Sequence, residues 1–360
     1  VVAIPECARG GAGRKAGRRH GASLIALALI LAAVSGSGAI ADTTWTNAGG
    51  DNDWNNPANW SNGLPVDNAG QTTHIVGGAP AVVDGVATTG SGRTWVGSST
   101  EDGTLIVENG GTLAAGTFEP GGTDGFIGNV VVRGNGSRID SITDFIGAYD
   151  RTGHVLVEDG GTLSTGTGYL GQYDGSLGTV TVTGAGSTWT TGSTIYVGGV
   201  NEGPYDAMGI LTVSDGGHVN VDNGDSEVIV STGIGTVGIV NIGAAEDGAA
   251  VGAGTIQASS IDFGPGDASL VFNHTDAGYI FSTPISGDGE VRQIAGTTIL
   301  TGTNSWTGGT TVSGGTLEGT TSSLVGDIVN NAALAFDQAF DGIFGGDISG
   351  TGSLEKSGSG

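Results

Sequence analysis

The strongest constraint on the fold of this chain is an internal repeat. Short segments of alternating apolar and β-branched residues recur along its middle, and each predicts a β-strand. The last residues of successive segments are separated by 25, 25, 25 and 31 positions. The segments are 105–107, 130–132, 155–157, 180–182 and 211–213. Because a unit of about 25 residues is too small to bury an apolar face alone, the repeat predicts units that stack on one another.

Glycine turns after these strands show that two kinds of unit alternate. A Gly-Gly turn follows the first, third and fifth strands, whereas a Gly-X-Gly-Ser turn follows the second and fourth. The full period is therefore 50 residues. Residues 97–137 are identical to residues 147–187 at 19 of 41 positions, and more than half of these identities are glycine. Glycine adopts the positive φ angles that sharp corners require, so the turns are interpreted as corners.

Two further strands are predicted in each unit. One follows the glycine turn and the other ends before the next repeat begins. The strand after the glycine turn is marked by Leu113, Ile139, Leu163, Trp189 and Val219. The strand that ends before the next repeat is marked by Ile146, Leu170 and Val197. Short strands repeated without helices predict an all-β, right-handed parallel β-helix of roughly a dozen coils and ~60 Å. A β-propeller is the alternative, but the decay of the period after Val213 and the open-ended repetition favour the solenoid.

Residues 1–41 predict a secretory signal peptide. A basic region at 14–19 precedes a nearly apolar run at 22–34, and Ala39-Ile40-Ala41 supplies the small residues of a cleavage site before Asp42. The apolar run would span only roughly 20 Å as a helix, which is short of the ~30 Å of a bilayer. The sequence therefore predicts an exported chain rather than an anchored one.

The composition describes the chain that remains after cleavage. The leader holds five of the 11 basic residues and one of the 36 acidic residues. The remainder therefore has six basic and 35 acidic residues, which give a formal charge of −29. The leader also holds the only cysteine, Cys7, so stability must come from paired strands and stacked apolar side chains. Such an acidic surface repels nucleic acid and anionic lipids. The 73 glycines in 360 residues also disfavour a helical bundle.

Several segments resemble bacterial surface proteins. Residues 103–113 and 179–189 carry the patterns GTLxVxxGGTL and TVTGAGSTW, which are similar to the strand repeats of autotransporter-like and PEP-CTERM-associated proteins. Residues 299–317 closely resemble the autotransporter-associated β-strand repeat. A second copy is predicted from Ile348, because the sequence there is similar to that from Ile285.

The resemblance implies a domain order and a role. The order is a signal peptide (1–41), a Trp-rich N-terminal capping segment (42–95), glycine-rich solenoid repeats (96–250) and autotransporter-associated repeats cut off at the C-terminus (251–360). The implied protein is a type V secretion passenger with an outer-membrane β-barrel translocator, its own or separate. It would be located at the cell surface or in the extracellular space. Its implied role is that of a non-catalytic scaffold and adhesin that contacts surface glycans, host cells or neighbouring cells.

No catalytic, cofactor or metal site is predicted. His74, His154, His218 and His274 stand alone without a metal-binding pair. Acidic residues recur at turns, such as Asp124 and Asp174 in one register of the repeat. Calcium binding by these carboxylates is the alternative to a chain without a metal site. The calcium repeat GGxGxDxUx does not occur, so these carboxylates are predicted to favour turns and to keep a β surface soluble.

Two other functions remain as alternatives. A polysaccharide lyase would need carboxylates beside a base, and Arg133 and Arg138 with Asp140 and Asp144 form the best such group. An extracellular matrix protein of the PEP-CTERM type is the other alternative. The tryptophans Trp45, Trp54 and Trp60 fit either a sugar-stacking patch or a cap on the first coil, and the solenoid favours the cap.

Overall fold

The computed structural model describes residues 41–68, 70–98, 100–121, 125–141, 145–146, 152–199 and 206–360. Within these ranges, the paired strands form four sheets of 11, 12, 7 and 5 strands. All strand pairs of these four sheets are parallel in the described residues, and two short 3-10 helices lie at Pro57–Asn59 and Asp222–Gly224. The predicted all-β parallel β-helix is confirmed.

Each sheet is a ladder of strands from successive coils. Sheet 1 contains Thr43–Thr44, Thr72–Ile75, Arg93–Val96, Thr117–Pro120, Phe145–Ile146, Gly168–Leu170, Ile195–Val197, Val228–Val230, Ile261–Phe263, Ile285–Gly287 and Ser305–Trp306. Sheet 2 contains Ala81–Val83, Gly103–Val107, Ile127–Arg133, Thr152–Glu158, Leu177–Thr183, Met208–Ser214, Val237–Gly243, Asp267–Asn273, Glu290–Ala295, Thr310–Val312, Ile328–Asn330 and Ile348–Ser349.

The third side of the solenoid changes sheet along the stack. Sheet 3 contains Val86–Thr88, Thr112–Ala115, Arg138–Ser141, Thr162–Thr165, Thr188–Thr191, His218–Val221 and Thr255–Gln257. Sheet 4 takes this place in the last coils and contains Tyr279–Phe281, Thr297–Leu300, Thr316–Gly319, Ala333–Asp337 and Ser353–Ser357.

One coil passes through three sheets in turn. Thr152–Glu158 lies in sheet 2, Thr162–Thr165 in sheet 3 and Gly168–Leu170 in sheet 1. Equivalent residues of successive coils stand in register, so Val155 pairs with Val130 and with Val180. The three strands predicted for each unit are therefore present, and each pairs with its counterpart one coil away.

Alternation along each strand builds the core. In Leu177–Thr183, Val180 and Val182 are fully buried, whereas Thr179 and Thr181 face outward, as predicted. Like side chains consequently stack in columns inside the solenoid, and one continuous apolar cluster extends along it. Removing this apolar area from water is the main stabilising contribution, at about 25 cal/mol per Å².

The corners explain the 50-residue period. Asn109-Gly110 and Asp159-Gly160 both have positive φ at two successive residues, the conformation of a type I′ turn. In the alternate coils, the turn ends in a fully buried serine, Ser137. The Ser137 hydroxyl accepts the amide hydrogen of Gly110 at 3.0 Å. Because each buried serine serves the corner of a neighbouring coil, the two corner types stack in alternation.

A column of glycines runs along sheet 2 at the second position of its long strands. The register aligns Gly128, Gly153, Gly178, Gly209 and Gly238. A β-carbon at Gly178 would lie 2.3 Å from the amide nitrogen of Gly171 and 2.8 Å from the carbonyl carbon of Leu170. The chain therefore turns from sheet 1 into sheet 2 so tightly that no side chain fits there.

The last coils are shorter than the first. Val312 and Asn330 pair with each other although only 18 residues separate them. Ile285–Gly287 lies in sheet 1, whereas Ile348–Ser349 lies in sheet 2 and pairs with Ile328. The predicted equivalence of the segments from Ile285 and Ile348 is therefore wrong, because the short coils lack the sheet 1 strand that the earlier segment forms.

Candidate functional site

The arginines of the lyase alternative are held in separate ion pairs. Arg133 lies on sheet 2, and its Nε donates to Glu108 at 2.8 Å. Arg138 lies on sheet 3, and its Nε is 2.8 Å from Asp140. Asp144 lies outside the described residues. The members of this group that the structure describes therefore point to two surfaces and do not converge on one site.

The four histidines after residue 41 have structural partners. His154, His218 and His274 each lie 2.8 Å from the hydroxyl of a threonine one coil further on. Burial lowers the pKa of each of these rings and of His74 and so favours their neutral form. Within the described ranges, no group of three or more His, Cys, Asp or Glu is placed to hold a metal ion.

The predicted acidic turns are mostly solvated. Asp174 accepts the amide hydrogen of Asp206 at 2.8 Å across a corner, so this carboxylate supports a turn. Asp222 accepts from the hydroxyl of Ser226 at 3.0 Å in the same way. Asp124 lies outside the described residues.

The three N-terminal tryptophans form one buried cluster. Trp45, Trp54 and Trp60 are 2–4% exposed, and Trp60 contacts the other two edge-to-face with ring centroids 5.1 and 4.7 Å apart. The indole of Trp60 donates to the carbonyl oxygen of Trp54 at 2.8 Å. Their faces are covered by protein, so they offer no platform for a sugar ring.

A ladder of mostly aromatic and acidic side chains lies on the outer face of sheet 1. Its members occupy the outward position between two buried residues and stand in register from coil to coil. We call the following residues the sheet 1 ladder: His74, Trp95, Glu119, Tyr169, Tyr196, Ile229 and Asp262.

The first part of the ladder is an interlocked polar group. The rings of His74 and Trp95 meet edge-to-face at 5.0 Å, and the Trp95 indole donates to Glu119 at 2.7 Å. Glu119 is 1% exposed and lies 3.2 Å from Arg93. Burial raises the pKa of Glu119, while the charge of Arg93 and the hydrogen bond from Trp95 oppose that rise.

The middle of the ladder presents two stacked tyrosines. The rings of Tyr169 and Tyr196 are nearly parallel, at 10°, with centroids 5.2 Å apart. Both side chains are half-buried, between the buried residues of their three-residue strands. Stacked rings held by paired strands form a rigid apolar surface with polar tips.

The last member of the ladder, Asp262, is paired with the carboxyl group of Glu227, which lies beside the ladder. Glu227 hydrogen-bonds to Asp262, and Asp262 also accepts from the hydroxyls of Ser260 and Ser286. Burial raises the pKa of Glu227. The hydrogen bond to Asp262 and the negative charge of Asp262 raise it further. The proton of Glu227 is thus retained at a higher pH than usual.

Glu227→Gln is expected to flatten the dependence of stability on pH. The pKa of Glu227 is raised in the folded chain, so the stability that its proton contributes is complete below the ordinary value of 4.5. That stability is lost as the pH rises through the folded pKa. The variant should therefore gain in unfolding temperature over the parent between about pH 4 and neutrality. Glu355→Gln, at an exposed site, is the control, and equal pH profiles for parent and Glu227→Gln would contradict the prediction.

The ladder residues were not singled out by sequence reasoning. The third strands were predicted from their buried ends, Leu170 and Val197, and the outward residues between buried ones were not considered. A tyrosine at the same position of two successive units, Tyr169 and Tyr196, is the signal that identifies them.

The family comparison concerns the C-terminal part of the chain. Residues 295–318 match the passenger-associated-transport-repeat, and this range contains the predicted repeat at 299–317. The resemblance to autotransporter passengers with such repeats is confirmed. In the structure, the matched residues run from sheet 4 through sheets 1 and 2 and back to sheet 4, which is one coil.

Curated relatives match over shorter stretches. The Adhesin BmaC autotransporter of Brucella suis biovar 1 (strain 1330) is 47% identical over 66 residues, which are 18% of this chain and 2% of that protein. The Uncharacterized lipoprotein YdeK of Escherichia coli (strain K12) is 36% identical over 116 residues, which are 30% of this chain and 9% of that protein. The chain thus spans less than two thirds of either relative. No solved structure matches it significantly.

One further observation concerns membranes. Among the residues that the structure describes, none of the helices is long and apolar enough to cross a bilayer.

Proposed function

We propose that this chain, which carries the repeat of autotransporter passengers at residues 295–318, is a non-catalytic scaffold and adhesin exposed at a bacterial surface. The observation that carries the proposal is the 12-stranded ladder of sheet 2, built from units that each pair only with their neighbours. Such a stack converts short repeats into a long and rigid support. The similarity to an adhesin adds to this argument.

Export follows from the same proposal. The leader predicted at 1–41 directs the chain out of the cytoplasm, and an outer-membrane translocator is the partner that a passenger requires. The acidic surface keeps the exported rod soluble. A chain without cysteine after residue 41 folds outside the cell without any disulfide chemistry.

The sheet 1 ladder is the proposed contact face. Tyr169 and Tyr196 offer parallel rings on a rigid sheet, and aromatic rings with polar tips are the side chains that interfaces favour. Sugar rings carry apolar C–H faces that stack on such rings. The proposed targets are therefore glycans of host or neighbouring cells.

The combined change Tyr169→Ala and Tyr196→Ala is expected to reduce adhesion about tenfold. Beads coated with the purified chain would be counted on a mucin-coated surface under flow. The control is the combined change Thr181→Ala and Thr190→Ala, which alters outward residues of sheets 2 and 3. Equal retention of the tyrosine variant and the parent would contradict the proposed contact face.

The absence of catalysis is tested on the same preparation. The chain, incubated with polyuronates, is expected to release unsaturated uronides only at the background rate. Release that the parent supports and Arg133→Ala abolishes would overturn the non-catalytic role.

A further inference from the structure

A cleft of about 540 Å³ lies on the outer face of sheet 2. Its floor belongs to the strands Met208–Ser214, Val237–Gly243 and Asp267–Asn273. Its wall includes Asp288, Glu290 and Arg292, together with residues 245–247 of the segment 244–254. The register pairs Val213 with Ile242 and His218 with Thr255, so this segment replaces a corner of only a few residues. The volume of the cleft lies within the ~300–1,000 Å³ range of ligand pockets.

The wall of the cleft is fixed to the coils on both sides. The amide of Asn273, which is 1% exposed, donates to the carbonyl oxygens of Ala245 at 2.7 Å and Gly248 at 3.0 Å. The backbone amides of Gly252 and Ala253 donate to Asp215 and Asp276 at 2.9 and 2.7 Å. The cleft is therefore formed before any ligand arrives, which lowers the entropic cost of binding.

The charged side chains that line the cleft do not balance one another. Arg292, the cation in the lining, is bound to Glu246 at 2.6 Å and to Glu290 at 3.0 Å. Asp247 and Asp267 also line the cleft, and no side chain of the described residues makes an ion pair with either. A ligand with a positive charge would complete this arrangement.

The floor carries unpaired polar atoms among aliphatic side chains. Asn241 is 1% exposed; its amide nitrogen donates to Thr212 at 3.0 Å, and its Oδ1 has no hydrogen-bond partner. The Nε of Arg292 is likewise buried without an acceptor. Ile210, Ile239 and Val271 supply the surrounding apolar surface. Buried polar atoms without partners are costly, so a ligand that reaches them gains affinity.

We propose that this cleft binds an amino sugar with a free ammonium group, as part of a glycan. The ammonium group pairs with Asp247 and Asp267. A hydroxyl is both donor and acceptor, so the hydroxyls of the sugar serve the unpaired Oδ1 of Asn241 and the unpaired Nε of Arg292. The C–H faces of the ring contact the aliphatic floor. This inference concerns a different face from the sheet 1 ladder and does not depend on the adhesive role.

The test is a calorimetric titration of the full chain in mildly acidic buffer, in which sugar amines are protonated. The probes are a glucosamine tetramer with free amines, its N-acetylated counterpart and spermidine. We expect the free-amine tetramer to bind at least about tenfold more tightly than either of the others. Equal binding of the acetylated tetramer would overturn the role of the carboxylates, and equal binding of spermidine would show attraction to charge alone and overturn the proposal.

Variants locate the site. The combined change Asp247→Asn and Asp267→Asn is expected to weaken binding of the free-amine tetramer about tenfold or more. Its control, Asp84→Asn with Asp341→Asn, removes the same charge at exposed positions and should leave the affinity unchanged. Asn241→Leu removes the unpaired acceptor and should also weaken binding. Equal losses in the two aspartate variants would show non-specific attraction to an acidic protein and overturn the assignment.

Discussion

Gly178→Ala is expected to lower the free energy of unfolding by about 3 kcal/mol. The added β-carbon would lie 2.3 Å from the amide nitrogen of Gly171 and 2.8 Å from the carbonyl carbon of Leu170. Both atoms belong to the backbone, which cannot rotate away as a flexible side chain can. Relief therefore requires the corner between sheets 1 and 2 to open, which strains the paired strands of neighbouring coils.

Denaturant unfolding of the parent and the variant, followed by far-UV circular dichroism, measures this loss. Gly192→Ala is the matched control, because a β-carbon there meets its nearest neighbours at 3.8 and 4.0 Å, which is ordinary contact. The same substitution should therefore change stability by less than about 1 kcal/mol at that position. If the two variants unfold at the same denaturant concentration, the close approach does not constrain Gly178.

Periodicity made the fold predictable. Val155, Val180 and Leu211 occur at the same position of successive units and pair in register in sheet 2. A period of two within each strand distinguishes inward from outward residues, and a period of 25 brings the strands together. These patterns depend only on local geometry and on burial, which act in the same way in every coil.

The reason for the glycine at position 178 was not predictable in the same way. The repeat places glycine at this position, but Leu170 ends the preceding strand and Gly171 follows it. Only the path of the corner brings these two residues close to Gly178. A turn glycine such as Gly110 is different, because its role follows from the adjacent sequence Asn-Gly. The sequence therefore indicated corners, while the steric cause of this column required the three-dimensional path.

The acidic cleft was also beyond sequence reasoning. Arg292 and Glu246 are 46 positions apart and belong to different coils, and the segment 244–254 interrupts the period that would have aligned them. Asn241 occupies the outward position of its strand, where polar residues are ordinary. Its unpaired oxygen is notable only because the folded chain places Asn241 in the lining of the cleft.

Trp54→Ala is expected to cost about 3–5 kcal/mol of stability, with the loss concentrated in the first coils. Trp54 is 2% exposed, its ring meets that of Trp60 at 4.7 Å, and its amide donates to the carbonyl oxygen of Val82 at 2.9 Å. The tryptophan cluster thus joins the segment before the first complete coil to sheet 2. Truncation of the ring leaves a large cavity at the end of the stack.

Hydrogen exchange measured along the chain separates a local effect from a global one. In a stack where each coil contacts only its neighbours, stability is set by local interfaces. Trp54→Ala should therefore speed exchange in residues 43–107 and leave residues 285–336 unchanged. Trp306→Ala, which removes another buried ring (1% exposed) near the other end, should produce the opposite pattern. A uniform rise along the chain in both variants would show a single cooperative unit, whereas the expected pair of patterns would identify residues 42–95 as the cap that protects the first coils.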